Sequence, residues 1–129
     1  MQEQHRTGRK LLVAEDNDIN LIVLSRMLEI LGYEFDAVEN GLDCLTLFGQ
    51  NDYDLVLTDI QMPGLDGMQV ASKIRTMKPT KRDIPIVAMT ANADLTEVER
   101  FRVVGIDDVL AKPFNKVDLL NCIEKWLKK

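Results

Sequence analysis

Hydrophobic and polar positions alternate along this chain in blocks of two kinds. Short apolar runs occur at Leu11–Ala14, Phe35–Val38, Leu55–Thr58, Ile84–Met89 and Asp108–Ala111. Longer segments with apolar residues three and four apart lie between and after them: Asp18–Leu31, Leu42–Gln50, Gly67–Met77, Leu95–Val104 and Lys116–Leu127. The short runs predict strands and the longer segments amphipathic helices. Five β-then-α repeats predict an α/β domain with a parallel sheet and helices on both faces, and right-handed crossovers leave few topologies. Leu11–Ala14, Leu55–Leu57 and Ile84–Met89 are continuously apolar, as strands covered on both faces should be. Turn residues fall between the blocks: Gly32 after the first helix, Asn40-Gly41 before the second, Gly105 after the fourth.

The first helix departs from a simple two-faced pattern. Val23, Leu24, Met27, Leu28 and Leu31 form a broad predicted core face. Asp18, Ser25, Arg26 and Glu29 form the predicted solvent face, yet Ile22 falls in its middle and Ile19 at its margin. A single exposed Ile is ordinary. The alternative is an apolar knob for a partner protein.

Composition narrows the classes. At 129 residues, 46% hydrophobic and 29% charged, the chain suits one domain with one core. A net charge of −5 argues against nucleic-acid binding, which needs a basic surface. No apolar stretch approaches the roughly 18–20 residues of a membrane span, so no direct membrane insertion is expected. Residues 1–9 are polar and read as a disordered tail or the end of a linker, with the domain at 10–129. Cys44 and Cys122 are far apart and lack metal-ligand spacing, which fits reduced thiols of a cytoplasmic protein. The sole histidine, His5, lies in the polar tail and is read as uninvolved.

The chemistry gathers at the strand ends. Parallel strands bring their carboxyl ends to one edge, where open α/β sheets carry their sites. Glu15 and Asp16 end the first predicted strand, Asp59 the third, Thr90 the fourth and Lys112 the fifth. Singly, each has a plain explanation: a strand-end Asp caps a helix, a Lys before Pro is solvated, a Thr belongs to the strand. Together they should converge. Carboxylates about 5 Å apart at an effective dielectric near 20 repel by roughly 3 kcal/mol per pair, a large term against a stability of about 5–15 kcal/mol. Lys112 supplies one offsetting charge and a hard divalent ion would supply two more. Oxygen ligands with retained waters suit Mg²⁺. The groups fit phosphoryl transfer to a carboxylate: Asp59 as nucleophile, Lys112 and a metal neutralising phosphoryl oxygens, Thr90 hydrogen-bonding one of them.

The stretches Leu12-Val13-Ala14-Glu15-Asp16-Asn17, Thr58-Asp59-Ile60-Gln61-Met62-Pro63-Gly64-Leu65-Asp66-Gly67, Ala88-Met89-Thr90-Ala91 and Gly105 through Lys112-Pro113-Phe114 resemble a response-regulator receiver domain. They are most similar to the receiver of a hybrid sensor histidine kinase, and the match spans about residues 10–127. The resemblance implies a flavodoxin-like (βα)5 three-layer sandwich with a five-stranded parallel sheet of order 2-1-3-4-5. It implies that Asp59 accepts the phosphoryl group, that Thr90 is the switch hydroxyl and that Lys112 holds the phosphate, with a cis bond to Pro113. It implies Mg²⁺ (or Mn²⁺) held by Asp16, Asp59 and the Gln61 carbonyl, with Glu15 acting through water or hydrogen bonds. The implied partner is a histidine kinase dimerisation domain or a histidine phosphotransfer protein, docking on helix 18–31 through Ile19 and Ile22. The implied state is a monomer in the cytoplasm, free or tethered to a membrane-bound sensor kinase. Such a domain catalyses only its own phosphorylation and dephosphorylation, whereas a hybrid parent would be a kinase.

One position departs from the family pattern. An aromatic residue usually stands three before the lysine, and here it is Val109. A small side chain, stiff at χ1, cannot swing inward as that ring does, so a different conformational response is expected, suited to a relay. Gln61 and Asn92 match positions that flank the path of hydrolytic water. A stand-alone single-domain regulator fits the same residues. A haloacid-dehalogenase-type hydrolase would want an Asp two residues after the nucleophile, where Gln61 stands. A flavodoxin-like binder would want a Ser/Thr/Gly-rich loop in place of the acidic Glu15-Asp16-Asn17-Asp18.

Overall fold

The computed structural model describes residues 10–77, 81 and 83–127. The reading of residues 1–9 as a tail or linker lies outside these. The ten elements alternate as the hydrophobic pattern requires: β1 (Lys10–Ala14), α1 (Asp18–Leu31), β2 (Glu34–Val38), α2 (Gly41–Gln50), β3 (Leu55–Asp59), α3 (Gly67–Ile74), β4 (Ile86–Thr90), α4 (Leu95–Val103), β5 (Asp108–Ala111) and α5 (Lys116–Leu127). The strands form one parallel sheet of order β2-β1-β3-β4-β5. This is the flavodoxin-like arrangement.

Successive side chains of a strand point to opposite faces, and the core divides accordingly. Leu11, Val13, Leu55, Leu57, Val87 and Met89 face α1 and α5, meeting Leu24, Leu28, Leu119 and Ile123. Leu12, Ala14, Val56, Ile86 and Ala88 face α2, α3 and α4, meeting Cys44, Phe48, Val70, Ile74 and Phe101. β1, β3 and β4 are buried on both sides, which is why their sequences read as unbroken apolar runs. Cys44 and Cys122 lie on opposite faces of the sheet, both unbridged. Burial pushes each thiol up to about 12, so neither is a thiolate at neutral pH.

Four strands have limits that differ from the sequence pattern: β1 and β2 each begin one residue earlier, and β3 and β4 change where the site is built. β4 begins at Ile86 rather than Ile84, because Pro85 has no N–H to give to a ladder; its carbonyl accepts from the Val56 amide at 3.0 Å. β3 runs one residue further than Thr58, so Asp59 is itself a ladder residue, paired with Met89. α3 stops at Ile74, short of the expected Met77. Arg75 then turns away to donate to the carbonyls of Gly105 and Ile84 and to the Asp107 carboxylate, tying the end of α4 to the start of β4.

α1 also needs a correction. Val23 was expected in the core and is 48% exposed, while Leu21 packs inward. With about 100° per residue, the buried stripe centres on Leu24 and Leu28, and Val23 falls outside it. The outer side of α1 therefore carries Ile19, Ile22, Val23 and Ile30, a longer apolar stripe than the Ile22 anomaly alone. No described helix is long and apolar enough to cross a membrane.

Candidate functional site

Each side chain of the site stands on a strand end or in the turn that follows it. Asp59 is the last residue of β3, Thr90 the last of β4 and Lys112 the first residue past β5, while Glu15 and Asp16 follow β1. The parallel register puts these ends level. Carboxylate oxygens of Glu15, Asp16 and Asp59 lie within 4.8 Å of one another. Together with Gln61, Thr90, Asn92 and Lys112 they line an open pocket of about 340 Å³.

The helix caps explain why the acids are available. Asx side chains begin the helices, accepting from a backbone N–H three residues on: Asn17, Asn40, Asp66, Asp94 and Asn115. The cap of α1 is Asn17, so Asp16 is released from that duty and projects, exposed, at the pocket mouth. Asn17 also donates its amide to Glu15 Oε2 at 3.2 Å, fixing a carboxylate that is only 2% exposed. Gly67 is required by close approach. A Cβ there would lie 2.4 Å from the Asp59 carbonyl, and its amide donates to the Ile60 carbonyl at 2.8 Å. The turn after β3 can thereby fold back over the Asp59 backbone.

Electrostatics set the state of the site. Lys112 Nζ lies 3.0 Å from Glu15 Oε1 and 3.4 Å from Asp59 Oδ1. Burial and then the charge of Glu15 push Asp59 up to about 7, against the opposing pull of Lys112. Burial works against the Lys112 charge too. The hydrogen bond to Glu15 and the charges of Asp59 and Glu15 outweigh it, so Lys112 is raised and stays cationic. One ammonium thus faces three carboxylates. Such a donor set, hard oxygens with a single internal cation, fits a hard divalent ion that keeps part of its water shell.

The Thr90 hydroxyl lies at the pocket wall but turns toward its own loop, accepting from the Asn92 amide at 3.1 Å. Val109 is half-buried and packs into the core on the α2–α4 side. The Lys112–Pro113 peptide is cis. The strand-end residues that the sequence singled out are therefore brought together, with Gln61 and Asn92 beside them. Two supports were not picked out from sequence: Asn17 as cap and Glu15 anchor, and Gly67 as the seat of Asp59. Their signals were present, an Asx before a helical period and a Gly opening one.

Comparison with known proteins agrees with this geometry. The family model described as response regulator receiver domain matches residues 11–124. The hybrid signal transduction protein dokA of Dictyostelium discoideum is 41% identical over 126 residues, covering 98% of this chain and 7% of that protein. The sensor protein GacS of Pseudomonas syringae pv. syringae is 38% identical over 119 residues, covering 91% of this chain and 13% of that protein. This chain thus spans a small part of those relatives' length. Among solved structures, the receiver domain of the sensor histidine kinase PA1611 from Pseudomonas aeruginosa PAO1, with a magnesium ion coordinated in its active site cleft, superposes with a TM-score of 0.87. It is 34% identical and covers 95% of this chain and 100% of that one. The order of the sheet, the acidic cluster at its carboxyl edge and the match over nearly the whole chain have one explanation: this chain belongs to the response regulator receiver domain family.

Proposed function

We propose that this domain accepts a phosphoryl group from a phosphohistidine onto Asp59 and passes it on within a histidine–aspartate phosphorelay, as the receiver segment, residues 10–129, of a cytoplasmic hybrid histidine kinase. The observation that carries the reading is the placement of Asp59, 8% exposed, 3.4 Å from Lys112 and within 4.8 Å of the two other acids. In the transfer, an Asp59 carboxylate oxygen forms the new O–P bond. The P–N bond breaks and its electron pair stays on the imidazole. The nucleophile has no proton to lose, so positioning and charge neutralisation suffice. Lys112 meets the charge on a phosphoryl oxygen, and Glu15 holds Lys112 in place. Thr90 donates to the phosphoryl group by turning its hydroxyl proton away from the Asn92 carbonyl, to which it donates at 3.3 Å. Asp16, Asp59 and the Gln61 carbonyl would hold Mg²⁺ (or Mn²⁺), with Glu15 behind them. The ion supplies charge neutralisation for the carboxylates and the phosphoryl oxygens when bound. Val109 supports a relay role over a large output change, because no aromatic ring is present to report the state of Thr90. The expected result with Mg²⁺ and acetyl phosphate is a single phosphoryl adduct by intact mass. A chelator is expected to abolish it, and an adduct that survives the chelator rules out the metal-assisted reading.

The partner is a helical bundle presenting the phosphohistidine: a kinase dimerisation domain or a phosphotransfer protein. Ile19 and Ile22, 71% and 61% exposed, stand on the outer side of α1 beside the site. Next to them Val23, Met27 and Phe114 line an apolar groove of about 400 Å³ that reaches Lys112. Ile22→Asp is expected to slow transfer from the cognate donor by roughly tenfold or more, the cost of a charge in a desolvated contact. Labelling by acetyl phosphate should be unchanged. Equal loss with both donors would remove Ile22 from the docking surface.

A further inference from the structure

The site does not end at Gln61 and Asn92. Between the β3–α3 loop and α4 lies a second pocket of about 630 Å³. Asp16, Ile60, Gln61, Thr90 and Asn92 line both spaces, so the two adjoin across these residues. The far wall comes from α4: Glu97, Arg100 and Phe101. The charged residues of this pocket are acidic apart from one. Asp16, Asp66 and Glu97 are its carboxylates and Arg100 is the single cation among the described lining residues. Asp66 is engaged as the cap of α3, accepting from the Gln69 amide. Glu97 is engaged with Arg100, whose Nη1 donates to both its oxygens at 3.1 and 3.0 Å. That contact uses one guanidinium nitrogen of a side chain 57% exposed, and a guanidinium carries five N–H donors. Arg100, which lines the pocket, is therefore held by its neighbour one turn back through Nη1 alone.

In an in-line displacement at phosphorus the leaving group departs on the side opposite the nucleophile. Asp59 lies in the first pocket, and Gln61 and Asn92, which line both spaces, lead from it toward α4. We infer that this second pocket is the leaving-group subsite for small acyl phosphate donors, with Arg100 meeting the departing carboxylate. The inference rests on Asp59 being the phosphoacceptor. In the step, an Asp59 oxygen bonds phosphorus and the acyl O–P bond breaks. Its electron pair leaves on the acyl oxygen as a carboxylate, and no proton moves. With Asp16 engaged by the metal, the carboxylates of Glu97 and Asp66 would oppose that anion if Arg100 were absent. A donor with a P–N bond behaves differently. Phosphoramidate, already protonated on nitrogen, releases neutral ammonia, so its rate should be indifferent to the charge of the wall.

The test uses the full chain with Mg²⁺, following adduct formation by intact mass. Arg100→Gln is expected to slow labelling by acetyl phosphate by roughly tenfold, a size typical of local charge focusing. Labelling by phosphoramidate should change by less than twofold. Arg100→Lys should restore most of the acetyl phosphate rate, since charge is what is required. High salt should narrow the gap between Arg100→Gln and the unaltered chain. Beryllofluoride has no leaving group, so its affinity by calorimetry should be the same for both. Equal slowing with the two donors, an unchanged acetyl phosphate rate, or weakened beryllofluoride binding each overturns the subsite. Asp59→Asn run in parallel keeps the two readings apart: an adduct persisting on that variant refutes the acceptor assignment, whatever Arg100→Gln does. Gln is close to Arg in helix propensity, and the phosphoramidate arm reports directly that the variant is folded.

Discussion

Asp59→Asn is expected to abolish the phosphoryl adduct with every donor and, in metal-free solution, to make the domain more stable at pH 8. Both results come from one carboxylate. The loss of labelling follows from removing the nucleophile, since an amide oxygen does not form the acyl phosphate. The gain in stability follows from the electrostatics of the site. Burial and the charge of Glu15 push Asp59 up to about 7, whereas an unfolded Asp titrates near 3.9. Between roughly pH 4 and 7 the folded state therefore binds more protons than the unfolded one, and its stability falls as pH rises through that window. The loss is complete above about pH 7. Removing the charge should recover about 1–3 kcal/mol at pH 8, the upper end of a shift discounted for relaxation and partial exposure. Urea denaturation at pH 8 and pH 4.5, with a chelator present, measures it. The variant is expected to be the more stable at pH 8, and the difference should close at pH 4.5. A variant less stable at pH 8 would mean that the pull of Lys112 outweighs burial and Glu15 together. Mg²⁺ should narrow the difference: at one hundred times its dissociation constant it stabilises the unaltered domain by about 2.7 kcal/mol, and Asp59→Asn forfeits part of that.

Lys112→Ala should act in the opposite direction on stability and in the same direction on chemistry. Glu15 is 2% exposed and Lys112 is its charge partner at 3.0 Å. Removing one member of a fully buried pair costs roughly 3–5 kcal/mol. With Lys112 itself 24% exposed at the side chain, about 2 kcal/mol is expected at pH 7, measured by urea denaturation without metal. Asp59 loses its opposing cation and titrates higher still, which leaves less of it as nucleophile. Its phosphoryl group also loses a fixed positive charge. Deleting one pre-placed charge-stabilising group slows comparable reactions by about 10²–10³, and that is the fall expected in the rate of labelling by acetyl phosphate. The pair of variants is the sharper test. Asp59→Asn stabilising while Lys112→Ala destabilises is the signature of crowded acids held by one lysine. Destabilisation by both would assign the cluster a net attractive role and contradict it.

Much of this protein could be read from its sequence because each strand end announces itself twice, once where the apolar run stops and once by the reactive residue that stops it. Asp59 after Leu55–Thr58, and Glu15 and Asp16 after Leu11–Ala14, are legible for that reason. In a doubly covered parallel sheet the run must be apolar, and all strands must end on one side. Order and handedness of the sheet then bring the ends together without further information. Ladder limits were less legible: Pro85 displaced the start of β4, and pairing with Met89 carried β3 through Asp59 itself.

What the sequence determined by itself was the alternation of elements, the two-sided core and the identity of the groups at the carboxyl edge, because periodicity and strand polarity are local properties of the chain. Three matters were settled only by tertiary structure. Asn17, not Asp16, caps α1, which depends on the angle at which the chain enters the helix. Val23 faces outward, because which stripe of α1 is buried is decided by α5 and the sheet packed against it, not by the wheel alone. And Arg100, an unremarkable charge on α4 when read along the chain, lines a pocket shared with Gln61, Thr90 and Asn92. Charges and distances across a site belong to elements that are remote in sequence, so they exist only once the sheet has brought those elements together.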